Sequence, residues 1–280
     1  LYRKDLDTGD RLVSVADGVD TVLPEVGNRI FHFDAKQTDS WEFADAEKTQ
    51  VVKVPSLAGE RYAHIRSDGG GGSWKYDGWP LSPVLMRDPA LGNQPCLDFG
   101  DFESCRGLVF NAIRQNEGDT AKTNLLNNIG TVFMVFNSEK GGGAGLLGGG
   151  WMEYGGRFSE NVWKRNVSSV TATLWNFREP STMLARWYIS GSHDCAHPHF
   201  FNGTVRQDGV ATYPAGIGLS GGWQVLTIVP AGLLNATGFA IGPVHDGRLT
   251  SYSGGQRIAE AIIYDSILDA ESTVRVENYL

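Results

Sequence analysis

The sequence predicts an all-β fold, a two-sheet antiparallel sandwich with a short C-terminal helix. Its 280 residues include 36 glycines and 8 tryptophans, a composition that favours strands joined by long loops. Helical periodicity is almost absent, and two segments, 131–136 and 256–265, carry apolar residues on both faces of a strand. Because such a strand is covered on both sides, we expect both segments in the middle of a sheet.

The last part of the chain predicts a strand followed by a helix. Glu260 interrupts the apolar strand 256–265, and we interpret it as a structural hydrogen-bond partner, because a buried acid needs donors. Asp269 is positioned to begin the helix, since its carboxylate can accept hydrogen bonds from the free N–H groups of the first turn. Val276 and Leu280 lie four residues apart and predict the apolar stripe that docks the helix.

Turn residues and alternating apolar and polar side chains predict the organisation of the earlier part of the chain. Residues 1–27 are expected to be a leader segment or the end of a preceding domain, and residues 28–280 a single domain. Alternating side chains predict a strand at 29–34. The pair Asp208 and Gly209 predicts a hairpin turn, because both residue types accept the positive φ angles that tight hairpins need.

Charge and hydropathy exclude several classes of partner. The formal net charge of −8 argues against nucleic acid and anionic membrane surfaces, since both recruit basic proteins. No window approaches the roughly eighteen apolar residues that cross a bilayer, so membrane insertion is not expected. The chain begins at Leu1 without a signal peptide, and we interpret it as a fragment of a longer protein with neighbouring domains.

The closing pattern carries a family resemblance. The string RIAEAIIYD at 257–265, an acidic helix start and the final VENYL together resemble the bacterial concanavalin A-like lectin/glucanase domains, which are laminin-G-like jelly rolls. The segments IFHFDA (30–35), GNQPCLDFG (92–100) and TVFMVFN (131–137) are similar to strands of that family and occur in the same order. The resemblance implies a jelly-roll sandwich over residues 28–280.

The resemblance also carries expectations about setting and ligand. Domains of this family occur in large secreted and cell-surface proteins, so a secreted or surface location is implied. Many hold a structural calcium, which makes calcium the candidate cofactor, although no contiguous loop in this sequence identifies its ligands. Since one fold hosts many activities, the resemblance bears on the fold more strongly than on the function.

The motifs of related enzymes do not appear. Glucanases of the superfamily use an E-x-D-x-x-E strand, and the nearest string here, from Glu42 to Glu47, has the wrong spacing to align its acids on one face. We interpret it as a solvated acidic loop. The Q-I/V-H and R-x-E-x-R strands of related lyases are also missing. The expected function is therefore carbohydrate binding without cleavage. The alternatives are a glycan hydrolase or lyase with unrecognised catalytic residues, and an adhesion or stalk domain.

Aromatic residues supply the best candidate for a ligand site. Four glycines at 69–72 precede Trp74, Tyr76 and Trp79, in a stretch with no core-forming period. Large rings on a glycine-rich loop expose apolar area unless they pack or bind something. Sugars present apolar C–H faces that stack on such rings, so these three residues are the predicted carbohydrate contacts. The alternative is that the rings cover the end of the sandwich.

A second candidate is the histidine-rich string SHDCAHPHFF. In an extended segment, His193, Cys195, His197 and His199 project to one side, and imidazole with thiolate would suit zinc or copper. Pro198 interrupts regular extension, however. The same segment is therefore also interpreted as a polar loop that faces ligand through His197 and His199, or as a merely solvated loop.

Cysteines and glycosylation sequons leave alternatives open. Cys96 and Cys105 are close enough in sequence to form a disulfide in an oxidising compartment, which would leave Cys195 unpaired. Three buried or half-buried thiols are an equal alternative. N-x-S/T sequons begin at Asn166, Asn202 and Asn235, and they matter only in a eukaryotic secretory route.

Overall fold

The computed structural model describes residues 2–4, 12–14, 22–58, 62–64, 82–100, 108–110, 126–137, 147–148, 199, 202–212, 222–236, 239–241 and 257–280. In chain order the strands are β1 (Tyr2–Lys4), β2 (Leu12–Ser14), β3 (Arg29–Asp34), β4 (Glu42–Phe43), β5 (Val51–Pro55), β6 (Tyr62–His64), β7 (Val84–Asp88), β8 (Gln94–Asp98), β9 (Leu108–Phe110), β10 (Leu126–Ile129), β11 (Val132–Asn137), β12 (Leu147–Gly148), β13 (Thr204–Gln207), β14 (Val210–Thr212), β15 (Trp223–Val229), β16 (Leu234–Ala236), β17 (Phe239–Ile241) and β18 (Arg257–Tyr264). A 3₁₀ turn spans Pro89–Leu91, and helix α1 spans Ala270–Tyr279.

Antiparallel pairing organises these strands into two main sheets. An eight-stranded sheet has the order β14-β13-β15-β11-β18-β8-β7, with β3 also paired to β18. A six-stranded sheet has the order β12-β17-β9-β6-β5-β4. Two further pairs, β1-β2 and β10-β16, are separate. The prediction of antiparallel β-structure with a short C-terminal helix is confirmed.

Strands β11 and β18 lie in the interior of the larger sheet, as their apolar patterns predict. Every residue of β11 is buried, and so is every residue of β18 after Arg257. The two strands pair with Phe133 opposite Ile262, and a bulge falls between Val135 and Phe136. On its other edge, β18 pairs first with β8 and then with β3. The closing strand therefore contacts three neighbours, which explains its burial.

Helix α1 packs on one face of the larger sheet. The Asp269 carboxylate caps it by accepting a hydrogen bond from the backbone N–H of Ser272 (2.7 Å), and that bond lowers the pKa of Asp269. The packed cluster consists of Val26, Phe133, Ile262, Tyr264, Leu268 and Val276, bordered by Leu23, Tyr279 and Leu280. Leu23 and Val26 precede residue 28, so the packed unit includes part of the segment before the expected domain.

A row of aromatic rings links the opposite face to the smaller sheet. Phe33 alternates along β3 with His32 and Asp34, so it points away from the helix-bearing face. Its ring stacks on Trp41 with centroids 5.6 Å apart, and Trp41 stacks on Phe43 at 6.3 Å. Phe43 belongs to β4 at the edge of the six-stranded sheet. The two sheets therefore share an apolar contact on the side away from α1.

Backbone hydrogen bonds join the sheets at one edge as well. Val84, the first residue of β7, forms an antiparallel bridge with Gln50. The N–H of Val51 donates to the carbonyl of Pro83 (3.0 Å), and the N–H of Leu85 donates to the carbonyl of Thr49 (2.8 Å). Since Val51 begins β5 in the other sheet, the outer edge of β7 is paired to the strand that leads into the smaller sheet.

The predicted hairpin turn is present between β13 and β14. Asp208 and Gly209 have φ angles of 51° and 78°, both in the left-handed region that such a turn requires. The strands on either side pair with Gln207 opposite Val210. No helix among the described residues is long and apolar enough to cross a membrane.

Candidate functional site

Most of the residues predicted to bind ligand or metal lie outside the described residues: Trp74, Tyr76, Trp79, His193, Cys195 and His197. The elements on either side of the aromatic segment are nevertheless described. β6 ends at His64 in the smaller sheet, and β7 begins at Val84 on the edge of the larger one. The chain between them, which contains the three aromatics, therefore connects one sheet to the other.

His199 is the described member of the histidine string. It is exposed, and its carbonyl accepts a hydrogen bond from the backbone N–H of Ala231 (2.7 Å). Its ring lies against Gly232, where an added Cβ would come within 2.8 Å of the imidazole. The structure therefore brings His199 to the turn that follows β15.

A different group of ionisable residues is brought together on the helix-bearing face. This polar cluster consists of Arg29, His32, Asp34, Lys36, Glu260 and Tyr279. His32 and Asp34 share a face of β3 because they are two residues apart. Asp34 lies directly opposite Glu260 on the neighbouring strand. His32, Asp34 and Glu260 are each 3% exposed, so their polar atoms depend on protein partners.

Hydrogen bonds fix the tautomer of His32. Arg29 Nη1 lies 3.1 Å from His32 Nδ1, and a guanidinium can only donate. Nδ1 is therefore the acceptor and carries no proton. Nε2 then carries the proton and donates to Glu260 Oε1 at 2.9 Å. The imidazole of His32 therefore bridges the guanidinium of Arg29 and the carboxylate of Glu260.

Glu260 connects the sheet to the helix. Besides the His32 bond, its Oε2 lies 4.0 Å from Lys36 Nζ. The side chain of Tyr279, the last residue of α1, also interacts with the Glu260 carboxylate. Burial raises the pKa of Tyr279, and the charges of Glu260 and Asp34 raise it further, so the phenol stays protonated and remains a donor.

Asp34 is held by its own loop. Its Oδ1 accepts from the backbone N–H of Lys36 (2.8 Å), and its Oδ2 accepts from Gln37 Nε2 (3.2 Å). The carboxylates of Asp34 and Glu260 therefore both accept hydrogen bonds from groups of the protein. Glu260 was predicted from the sequence as a structural residue, whereas Asp34, His32 and Tyr279 were not predicted. A usable signal was present, since two polar residues alternate with two phenylalanines in the strand 29–34.

A second polar group lies where β7, β8 and β18 meet. Arg257 donates from Nη1 to Asp88 Oδ2 (2.7 Å) and from Nε to Asp98 Oδ2 (3.2 Å). Cys96 lies beside them as a free buried thiol, and burial, with the charge of Asp88, raises its pKa to about 12. Its thiol form agrees with the second of the two alternatives for the cysteines. Cys105 lies outside the described residues.

A third polar group joins the helix to strands β13 and β15 of the larger sheet. Arg206 on β13 makes two hydrogen bonds to Glu277, from Nε to Oε1 (2.7 Å) and from Nη2 to Oε2 (2.9 Å). The hydroxyl of Thr227 also donates to Glu277 Oε1 (2.7 Å). Fork-shaped arginine–carboxylate pairs fix direction as well as distance. Glu277 therefore anchors the last turn of α1 to β13 and β15.

In the part of the chain that the structure describes, no group of three or more His, Cys, Asp or Glu residues is arranged to hold a metal ion. The predicted transition-metal set has three of its four members outside that part. Calcium likewise stays a prediction that depends on the family resemblance.

No family model matches the sequence, and no curated protein or solved structure matches the chain. The resemblance to concanavalin A-like domains therefore depends on the sequence motifs alone.

Proposed function

We propose that the chain is a concanavalin A-like jelly-roll module of a larger secreted or cell-surface protein, and that it binds carbohydrate without cleaving it. The observation that carries this proposal is the connection between His64 and Val84. It runs from one sheet to the other and contains four consecutive glycines followed by Trp74, Tyr76 and Trp79. A preorganised aromatic surface can bind the apolar face of a sugar at small entropic cost.

The two antiparallel sheets support the jelly-roll part of the proposal. They meet through the stacked rings of Phe33, Trp41 and Phe43, on the face away from helix α1. They are also paired at the edge where Gln50 bridges Val84. Two antiparallel sheets with a shared apolar layer are the defining arrangement of a sandwich.

The hydrogen bonds that two buried carboxylates accept support the proposal that the module does not cleave its ligand. Glycoside hydrolysis needs two acids that reach the same glycosidic bond. Here Glu260 and Asp34 are 3% exposed, and they accept hydrogen bonds from His32 and from the loop after β3. Buried acids held in this way serve the fold.

Aromatic truncation tests the binding site. We expect Trp74→Ala and Trp79→Ala each to weaken the affinity for a glycan hit about tenfold, in line with the roughly 0.5–1.5 kcal/mol of an aromatic contact plus the lost apolar area. Thermal midpoints should stay near that of the wild type. Isothermal calorimetry with the glycan, paired with thermal melts, measures both quantities.

Val210→Ala is the matched control, because Val210 is 53% exposed on β14, the edge of the larger sheet opposite β7. It should bind like the wild type. If the two tryptophan variants lose stability and keep their affinity, the rings belong to the core and the proposed site is wrong.

A further inference from the structure

The residues just before β3, 23–28, form a strap that lies against the segment between β18 and helix α1. Val22 is 76% exposed, whereas Pro24 and Val26 are buried, so the chain enters the core at the start of the strap. The N–H of Val26 donates to the carbonyl of Pro24 (3.0 Å), which folds the strap into a tight turn. The strap therefore belongs to the packed unit.

Hydrogen bonds and a close backbone approach fix the strap to the segment after β18. Asn28 Nδ2 donates to Asp265 Oδ2 (2.7 Å), and the N–H of Asp265 donates to the carbonyl of Asn28 (3.0 Å). Gly27 has a φ of 85°, and an added Cβ would come within 2.9 Å of Ser266 Oγ and 3.2 Å of Leu268 Cδ2. Glycine fits this conformation and this approach without strain. The strap thus contacts residues 265–268, immediately before α1 begins.

The strap also packs together with helix α1. Val26 is 8% exposed and belongs to the same buried cluster as Leu268 and Val276, and Leu23 packs against that cluster. Close packing leaves few voids in such a cluster, so the side chains of the strap fill space that the helix alone would leave open to water. The attachment of α1 to the sheet therefore depends in part on the strap.

The strands beneath α1 depend on the strap much less. β11 is hydrogen-bonded to β15 on one side and to β18 on the other, and β18 is paired to β3 and β8 as well. Met134, Ala261 and Ile263 are buried on the opposite face of these strands. Neither the ladders nor that face includes a residue of the strap. Different parts of one protein can open separately when their contacts are separate.

We propose that the strap fastens helix α1 to the sheet, so that displacement of the strap releases α1 while β11 and β18 stay paired. Residues 1–21 lead directly into the strap, so a partner or a pull that acts on them reaches the strap before it reaches β3. The strap thereby makes α1 responsive to the chain that precedes it. It operates independently of the proposed carbohydrate site.

Amide hydrogen exchange of the whole chain tests the strap. Val26→Ala removes two methyl groups from the shared cluster, so the amides of α1 should exchange about tenfold faster than in the wild type. The amides of β11 and β18 should keep their protection. Val22→Ala is the matched control, because it makes the same truncation at a position that is 76% exposed, and it should leave the exchange of α1 unchanged.

Gly27→Ala displaces the strap in an independent way. It keeps every apolar side chain but forces a Cβ against Ser266 Oγ, so α1 should again lose protection while the two strands keep it. Two results would overturn the proposal: unchanged protection of α1 in both variants, or an equal loss of protection in α1, β11 and β18. If only one variant folds, that variant decides. If neither folds, the strap is inseparable from the sheet and the proposal is wrong.

Discussion

The carboxylate of Glu260 loses its hydrating water when it is buried, so other groups must replace that water. Two described partners do so: the imidazole of His32 at 2.9 Å and, at longer range, the ammonium group of Lys36. Removing the carboxylate leaves the N–H of His32 buried without this acceptor. Stranded partners are more costly than the net value of the bonds themselves.

We therefore expect Glu260→Ala to lower the free energy of unfolding by about 1–3 kcal/mol. Urea denaturation followed by tryptophan fluorescence measures this change. Glu260→Gln keeps the volume and one acceptor, so it should lose less. If Glu260→Ala leaves stability unchanged and abolishes glycan binding, Glu260 is a functional acid and the structural interpretation is wrong.

Tyr264 gives a prediction at high pH. Its hydroxyl is buried and has no hydrogen-bond partner among the described residues, and burial raises its pKa to about 12. A phenol whose pKa is raised by folding stabilises the protein fully below the unfolded value of about 10. That stability is lost as the pH rises from about 10 to 12.

Thermal melts across this range should therefore show a decline that is smaller in Tyr264→Phe. At neutral pH the same variant should be as stable as the wild type or slightly more stable, because it removes a buried hydroxyl without a partner. A clear loss of stability at neutral pH would mean that the hydroxyl is hydrogen-bonded.

At the scale of elements, the turn between β10 and β11 packs closely against the segment after β18. A Cβ at Gly130 would collide with the backbone of Ser266. The N–H of Gly130 donates to the carbonyl of Tyr264 (2.8 Å), and that of Thr131 donates to the carbonyl of Ser266 (2.9 Å). The chain can make this close approach only where it has no side chain.

Gly130→Ala should accordingly separate the two backbones and lower the free energy of unfolding by about 1–3 kcal/mol, the usual range for overpacking. Gly222→Ala is the matched control, because a Cβ at Gly222 meets nothing within 4 Å. Chemical denaturation of both variants compares them directly. Equal stability of the two would show that this contact is looser than its geometry indicates.

Local signals account for the elements that the sequence predicted well. Apolar residues on both faces marked β11 and β18, Asp269 marked the start of the helix, and Asp208 with Gly209 marked the turn. Each of these signals lies within about ten residues of the feature that it predicts.

The sequence did not reveal what depends on long-range pairing. His32 and Glu260 are 228 residues apart, so their bond follows from the register between β3 and β18. The packing of Leu23 and Val26 beneath helix α1 also joins residues that are far apart in the sequence. Nothing in residues 1–27 indicates which of their apolar side chains belongs to the core. The predicted aromatic and histidine sites lie mostly outside the described residues and stay predictions.

At the scale of the whole molecule, helix α1 packs against residues that lie far apart in the sequence. It packs against Leu23 and Val26 from the N-terminal side and against β11 and β18 from the centre. Glu277 adds a polar anchor in its last turn. The proposed binding segment lies between β6 and β7 in the sequence.

The measurement that tests the central claim most directly is a glycan array probed with the purified chain, followed by product analysis of each glycan that binds. The account predicts saturable binding to at least one class of glycan, with no increase in reducing ends during prolonged incubation. Absence of binding across the array would contradict the assignment as a carbohydrate-binding module. A steady release of reducing ends would identify an enzyme instead.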